Sequence, residues 1–289
     1  MPDLSAPILV TGIEIHTEAM LHIDAFRKRV EMLKWPSVYS SALFALSLSI
    51  PLSVGAEESK FSAHKDNYFL PFYKETKVNQ ARFEPLNPNG HAAKDTFIQF
   101  QLSIKYKLLS FDKDGLYVAY TQRSNWEAYD SSAYFRDDQY NPEIFYRINV
   151  EHWLFSLGFE HQSNGAGGDE EVSWDRIYID IQRDFENGYV RFKPWTRVGG
   201  VDYNPNISDF LGYGELEVGW NPMGTNEVKL QIANLFTKDW EKGFYRLSYN
   251  FPLYQGLRGY MKAETGYGLT ISNYNWDETA YGAGFSFSF

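Results

Sequence analysis

The sequence predicts an all-β fold, a 12-stranded antiparallel transmembrane β-barrel, and two patterns support this prediction. Twelve segments alternate apolar and polar side chains, which is typical of strands with one lipid-facing and one lumenal face. The connections between these segments are alternately long and short, as are the outer loops and periplasmic turns of a membrane barrel. A soluble β-sandwich has no physical reason to sort its loops in this way.

Each predicted strand is bounded by the positions where this alternation stops. The number of strands is even, as expected for a single-chain outer-membrane barrel. Tyr and Phe occur 21 and 22 times, which favours strands over helices. The predicted strands are Asn67–Lys77, Phe97–Ser110, Gly115–Trp126, Asn141–Val150, His152–Ser163, Ser173–Phe185, Gly188–Val198, Phe210–Pro222, Asn226–Phe236, Gly243–Pro252, Gly256–Ser272 and Thr279–Phe289.

An apolar stretch near the N-terminus indicates export. Residues 32–56 combine a basic start, an apolar segment and the small residues Gly55 and Ala56, which is the pattern of a secretory signal peptide. Because signal peptides ordinarily begin a chain, we interpret residues 1–31 as an over-extended gene start, with a genuine long basic region as the alternative. The mature protein is then residues 57–289, a single barrel domain.

The net charge and the C-terminal residues agree with an exported membrane barrel. A formal net charge of −10 argues against a nucleic-acid partner, which requires a basic face. From Tyr281 to the end of the chain, odd positions are mostly aromatic and even positions are glycine or serine. The terminal Phe289 resembles the assembly signal of bacterial outer-membrane proteins. We therefore expect a multi-pass protein of the bacterial cell outer membrane.

The segment from Glu160 to Arg176 carries the candidate chemistry. His161 and Ser163 are two residues apart, so they point the same way on a strand, and Asp175 lies on the next predicted strand. These residue types suit a nucleophile, a general base and a group that orients the base. The alternative is a polar hairpin end that contains these common residues by chance.

The alternation of these two strands predicts which way the three residues face. His161 and Ser163 continue the apolar face of their strand, and Asp175 shares the apolar face of the next. A polar side chain that faces lipid is costly, although less so near the interface. We therefore expect these groups to act at the membrane surface, where the scissile ester of a phospholipid lies. A porin would place its functional polar groups in the lumen.

Neighbouring residues suggest how charge in the reaction is stabilised. Gly165 has no Cβ, so its N–H can approach an oxyanion closely. No G-x-S-x-G motif surrounds Ser163, so an α/β-hydrolase is unsupported. The acidic run 169–171, with Ser131 and Ser132, offers oxygen ligands to a hard cation. The alternative for the acidic run is an ordinary solvated loop.

Two motifs carry a resemblance to a known family. The segments His161-Gln162-Ser163-Asn164-Gly165 and Ser173-Trp174-Asp175-Arg176 resemble those of bacterial outer-membrane phospholipase A, and the resemblance covers about residues 67–289. It implies a calcium-dependent esterase that acts as a homodimer. Such an enzyme cleaves the acyl esters of membrane phospholipids at both the A1 and A2 positions.

The resemblance also implies roles for individual residues. Ser163 is the nucleophile and His161 the base, while Asp175 stands where the best-known members have asparagine. The implied Ca²⁺ ligands are Ser131 (or Ser132), the carbonyl of Ala166, and Glu171 in place of a small hydroxyl residue. Two alternatives remain: a non-enzymatic outer-membrane barrel, or a different lipid-modifying barrel such as a lipid A deacylase.

Overall fold

The computed structural model describes residues 60–200, 203–222, 224–237, 241–254 and 256–287. The predicted N-terminal extension (1–31), the predicted signal peptide (32–56) and the terminal Phe289 lie outside the described residues. Almost all of the regular structure in the described ranges is β-strand.

Thirteen strands and three short helical segments lie in the described ranges. The strands are β1 (Phe61–Ala63), β2 (Tyr68–Glu75), β3 (Thr96–Phe111), β4 (Asp114–Trp126), β5 (Phe135–Val150), β6 (Trp153–Ser163), β7 (Ser173–Phe185), β8 (Gly188–Val198), β9 (Gly214–Trp220), β10 (Glu227–Ile232), β11 (Phe244–Tyr254), β12 (Leu257–Gly266) and β13 (Glu278–Ser286). The helical segments are α1 (Gln80–Phe83), a 3-10 turn (Gly168–Glu170) and α2 (Ile207–Leu211).

Strands β2 to β13 form a closed antiparallel barrel of twelve strands, which confirms the predicted fold class. Each strand pairs with its sequence neighbour, and β13 pairs with β2 to close the barrel. The short β1 pairs with β3 beyond the end of β2, so β1 and β2 together form one interrupted barrel strand. The interruption, His64–Asn67, lies between them. The long connections, including 76–95, 127–134 and 164–172, share what we call the outer end of the barrel.

The two faces of the wall differ as a membrane barrel requires. On β6 and β7, Leu157 and Ile179 point outward and are 60% and 50% exposed, whereas Ser156 and Asp180 point inward and are buried. An apolar outer face and a polar inner face suit a wall between lipid and a filled lumen. Among the described residues, no helix is long and apolar enough to cross a membrane.

Paired charges fill the lumen of the barrel. Arg191 contacts Asp180 through two nitrogens, with Nε 2.8 Å from Oδ1 and Nη2 2.7 Å from Oδ2. Arg176 and Lys193 both form ion pairs with Glu160 at 3.0 Å. Because Asp180 and Glu160 each have a cation close by, the cost of burying their charges is offset.

Candidate active site

The pairing of β6 with β7 brings two of the three predicted catalytic residues together. His161 lies directly opposite Asp175 in the register of the two strands. The Nδ1–H of His161 donates a hydrogen bond to Asp175 Oδ1 at 2.8 Å. This bond fixes the imidazole ring and leaves its Nε2 free to act as a base.

The His161–Asp175 pair lies on the outer face of the wall, at the outer end of the barrel. The two side chains are 39% and 37% exposed, and they follow the outward-facing Phe159 and precede the outward-facing Ile177. The intervening Glu160 points inward and is fully buried. This half-exposed pair therefore opens to the outside of the barrel and not to its lumen.

Ser163 is the last residue of β6 and lies on the same face as His161. It is opposite Tyr140 on β5 and Ser173 on β7. In the part of the chain that the structure describes, His161 bonds to Asp175 but makes no hydrogen bond to Ser163. Catalytic hydrogen bonds are often long in the absence of substrate and shorten when it binds.

Gly165 occupies a backbone conformation that other residues rarely adopt. Its φ is +69°, and an added Cβ would lie 2.5 Å from the ring of Tyr140. The preceding Asn164 orders this turn, because its Oδ1 accepts hydrogen bonds from the N–H groups of Ala166 and Val172. The loop after Ser163 therefore has a defined shape that depends on glycine at position 165.

The predicted calcium ligands lie on two different outer loops. Ser131 Oγ donates to Asn89 Oδ1 at 3.0 Å, and the N–H of Ser132 donates to the same oxygen at 3.0 Å. Glu171 Oε1 accepts a hydrogen bond from Ser173 Oγ at 3.1 Å. Among the described residues, no group of three or more His, Cys, Asp or Glu side chains is arranged to hold a metal ion.

Side chains of the first outer loop (76–95) contact both of these loops. Asn89 holds Ser131 and Ser132, while Arg82 donates to the carbonyl of Glu170 and pairs with its carboxylate, both at 3.0 Å. His91 lies 3.1 Å from Asp130, the residue before Ser131. Burial acts to raise the pKa of Asp130, but the Ser131 N–H and the nearby His91 and Lys94 together hold it below its ordinary value.

A second group of polar residues on the outer face was missed by the sequence analysis. Tyr120 donates to Gln122 Oε1 at 3.1 Å, and Gln122 Nε2 donates to Ser124 Oγ at 3.2 Å. Ser124 in turn donates to Asp138. Gln122 faces outward because β4 directs its even-numbered residues away from the lumen. The alternation within β4 would have revealed this outer polar row, which comprises Tyr120, Gln122, Ser124 and Asp138.

Comparison with known proteins decides the family. The family model described as Phospholipase A1 matches residues 52–287. The chain belongs to the phospholipase A1 family. It is 29% identical over 233 residues to phospholipase A1 of Proteus vulgaris, covering 76% of this chain and 79% of the relative. The family and the barrel together make this protein an outer-membrane phospholipase.

Solved structures agree with this membership of the phospholipase A1 family. An active-site mutant of Escherichia coli outer membrane phospholipase A matches with a TM-score of 0.72 and 25% identity, covering 81% of this chain and 93% of the other. The Salmonella typhi outer membrane phospholipase, described as a dimer with bound calcium, also matches with a TM-score of 0.72 and 25% identity. That match covers 78% of this chain and 91% of the other.

Proposed function

We propose that this phospholipase cleaves the acyl esters of membrane phospholipids at the A1 and A2 positions with Ser163, His161 and Asp175. The observation that carries the proposal is the 2.8 Å bond between His161 and Asp175 on the lipid-facing side of the wall. The ester groups of a phospholipid lie at the depth of this rim. Substrate therefore reaches Ser163 from the bilayer without entering the barrel.

Each of the proposed catalytic residues has a role that follows from its chemistry. Asp175 holds the Nδ1–H of His161 and stabilises the imidazolium that forms. His161 Nε2 takes the proton of the Ser163 hydroxyl as Ser163 Oγ attacks the ester carbonyl, and later returns a proton to the departing alcohol. Water then attacks the acyl-serine with the same base. The N–H of Gly165 donates to the oxyanion of each tetrahedral intermediate.

We propose calcium as the cofactor, held by Ser131 (or Ser132), the carbonyl of Ala166 and Glu171. These donors are all oxygens on outer loops, and oxygen is the ligand that Ca²⁺ prefers. When bound, the ion supplies positive charge that supplements the single N–H of Gly165 at the developing oxyanion. In this chain Asn89 orients Ser131 and Asn164 orients Ala166.

We further propose that the active form is a homodimer. Polar side chains that face hydrocarbon are costly even when they bond to one another. The outer polar row on β4 and β5 lies beside the strand that carries His161. A second copy that covers this row would offer it polar partners and bring two sets of outer loops together. The Salmonella typhi relative, which is a dimer with bound calcium, supports a homodimer.

The test is calcium-dependent release of fatty acid from phospholipid–detergent micelles by refolded residues 57–289. We expect release that stops when a chelator is added, and at least about a thousandfold less release from Ser163→Ala. Ser156→Ala, on the inner face of the same strand, is the matched control and should behave as the unaltered protein. Cleavage retained by Ser163→Ala would exclude the proposed nucleophile, and release that survives the chelator would exclude calcium.

The positional and substrate assignments need a separate readout. Phospholipids labelled on only one acyl chain distinguish the A1 from the A2 position, and release of both labels is expected. Lipid A offered in the same micelles should remain intact. Cleavage of lipid A in preference to phospholipid would instead support a deacylase.

A further inference from the structure

Along β6, the backbone N–H and carbonyl groups of successive residues point alternately towards β5 and β7. The N–H of Asn164 donates to the carbonyl of Val172 at 3.0 Å, and the carbonyl of His152 accepts from the N–H of Asp184 at 2.8 Å. Both bonds run towards β7 from even-numbered residues. Since successive residues of an antiparallel strand alternate in this respect, odd-numbered residues, including His161, direct their N–H and carbonyl groups towards β5.

The residue of β5 opposite His161 cannot complete this ladder. Tyr140 is paired with Ser163 and Glu143 with Glu160, so the register places Pro142 opposite His161. Proline has no backbone N–H. The carbonyl of His161 is therefore left without its ladder donor, and an unpaired carbonyl inside a barrel wall is costly.

The side chain of Asn141 supplies the missing donor. Its Nδ2 donates to the carbonyl of His161 at 2.8 Å from the lumenal side of the wall. Asn141 is only 3% exposed. Its Oδ1 accepts a hydrogen bond at 2.6 Å from the ammonium group of Lys65, which lies in the interruption between β1 and β2. The side-chain amide of Asn141 is thus held through both its nitrogen and its oxygen.

We propose that Asn141 is a positioning residue for ester hydrolysis. The carbonyl that it holds belongs to the peptide between His161 and Gln162, which is the first of the two peptides that separate His161 from Ser163. Holding this peptide plane sets the distance and angle between the imidazole and the hydroxyl. Small displacements of reacting groups lower rates strongly. The inference rests on the proposed function of His161 as the base.

The first test compares Asn141→Ala with Asn250→Ala in the micelle assay. Asn250 on β11 also accepts a hydrogen bond from a cationic side chain, in its case from Arg258 Nε. Asn141→Ala should lower kcat by about tenfold and leave KM unchanged, since it loses the hydrogen bond to the carbonyl of His161 and the alignment that this bond maintains. Asn250→Ala should stay within about twofold of the unaltered protein. Equal effects of the two variants would overturn the assignment.

The second test restores the donor by another route. Pro142→Ala gives residue 142 an N–H opposite the carbonyl of His161, so the double variant Asn141→Ala/Pro142→Ala should recover most of the lost kcat. If Asn141→Ala does not fold, the kcat of the folded double variant decides, and a value near that of the unaltered protein supports the assignment. Loss of activity or folding that Pro142→Ala does not repair would overturn it.

The ¹³C chemical shift of the His161 carbonyl separates this inference from the proposed function. The shift should change in Asn141→Ala and return towards its original value in the double variant. Activity retained by both Ser163→Ala and His161→Ala would remove the proposed function and, with it, the positioning role. Inactive Ser163→Ala and His161→Ala with an unchanged carbonyl shift in Asn141→Ala would overturn the role of Asn141 alone.

Discussion

Two adjacent cross-strand pairs on β6 and β7 use similar chemistry on opposite faces of the wall. His161 and Asp175 face outward and are 39% and 37% exposed. Glu160 and Arg176 face the lumen, and their side chains are 0% and 10% exposed. The inner pair is compensated further, because Lys193 also reaches Glu160. The inner pair therefore stabilises the barrel, whereas the outer pair can be reached from outside the wall.

The largest effect is expected when the proposed base on the outer face, His161, is removed. His161→Ala should lower ester cleavage by about a thousandfold or more, because nucleophile and base act as a unit. The measurement is fatty-acid release per folded molecule. His152→Ala, in the exposed turn at the other end of β6, should leave release unchanged. Equal release from the two variants would remove the catalytic distinction between the faces.

A smaller loss is expected from the turn that follows the outer face. Gly165→Ala forces a side chain into φ +69° and against Tyr140, so the N–H proposed for the oxyanion is displaced. Losing one such donor lowers kcat by about a hundredfold. Gly167→Ala is the matched control, because an added Cβ meets nothing within 4 Å there. Similar kcat values for the two would show that the shape of this turn is unimportant.

Asp175→Asn examines the charge of the outer pair while keeping its shape. An asparagine carbonyl oxygen can still accept from His161 Nδ1, but the imidazolium loses an anionic partner. We expect kcat to fall by about tenfold, because the orienting hydrogen bond survives. Asp184→Asn, near the opposite end of β7, is the control. A loss as large as that of His161→Ala would mean that the charge, not the orientation, dominates.

The smallest effect on activity is expected from the inner pair. Arg176→Met leaves Glu160 with Lys193 as its cation and removes stacking of Arg176 on Trp174 at 4.1 Å. The free energy of unfolding should fall by about 3 kcal/mol, as for other broken buried pairs, with kcat within about twofold of the original. Urea unfolding followed by tryptophan fluorescence measures this. Arg183 also stacks on a tryptophan, Trp153, and Arg183→Met should change the free energy of unfolding only slightly.

The sequence predicted most of the barrel because alternation is a direct consequence of a two-faced wall. It failed where a strand is polar on both faces. β5 begins at Phe135 instead of Asn141, because Asp137 faces the lumen and accepts from Ser272 while Asp138 faces outward beside Ser124. The segment predicted to begin a strand at Phe210 instead overlaps α2. There a buried helical turn carries the same apolar residues that a strand would.

For the site, alternation within two strands predicted that His161, Ser163 and Asp175 share one face. The links to distant parts of the chain had no such signal. Arg82 reaches Glu170 across 88 residues, and Lys65 reaches Asn141 across 76. Nothing in local spacing specifies contacts of that kind, since they depend on how the barrel closes. Pro142 within a predicted strand was the one visible clue that a ladder bond was missing.

The outward orientation of His161 and Asp175 has a consequence for how the rate must be expressed. An enzyme whose reactive groups open sideways into the bilayer meets its substrate by diffusion in two dimensions. Its rate then depends on the mole fraction of phospholipid in the surrounding surface and not on the amount per volume of solution. Diluting the surface with an inert detergent should slow the enzyme even when the total phospholipid in the tube is constant.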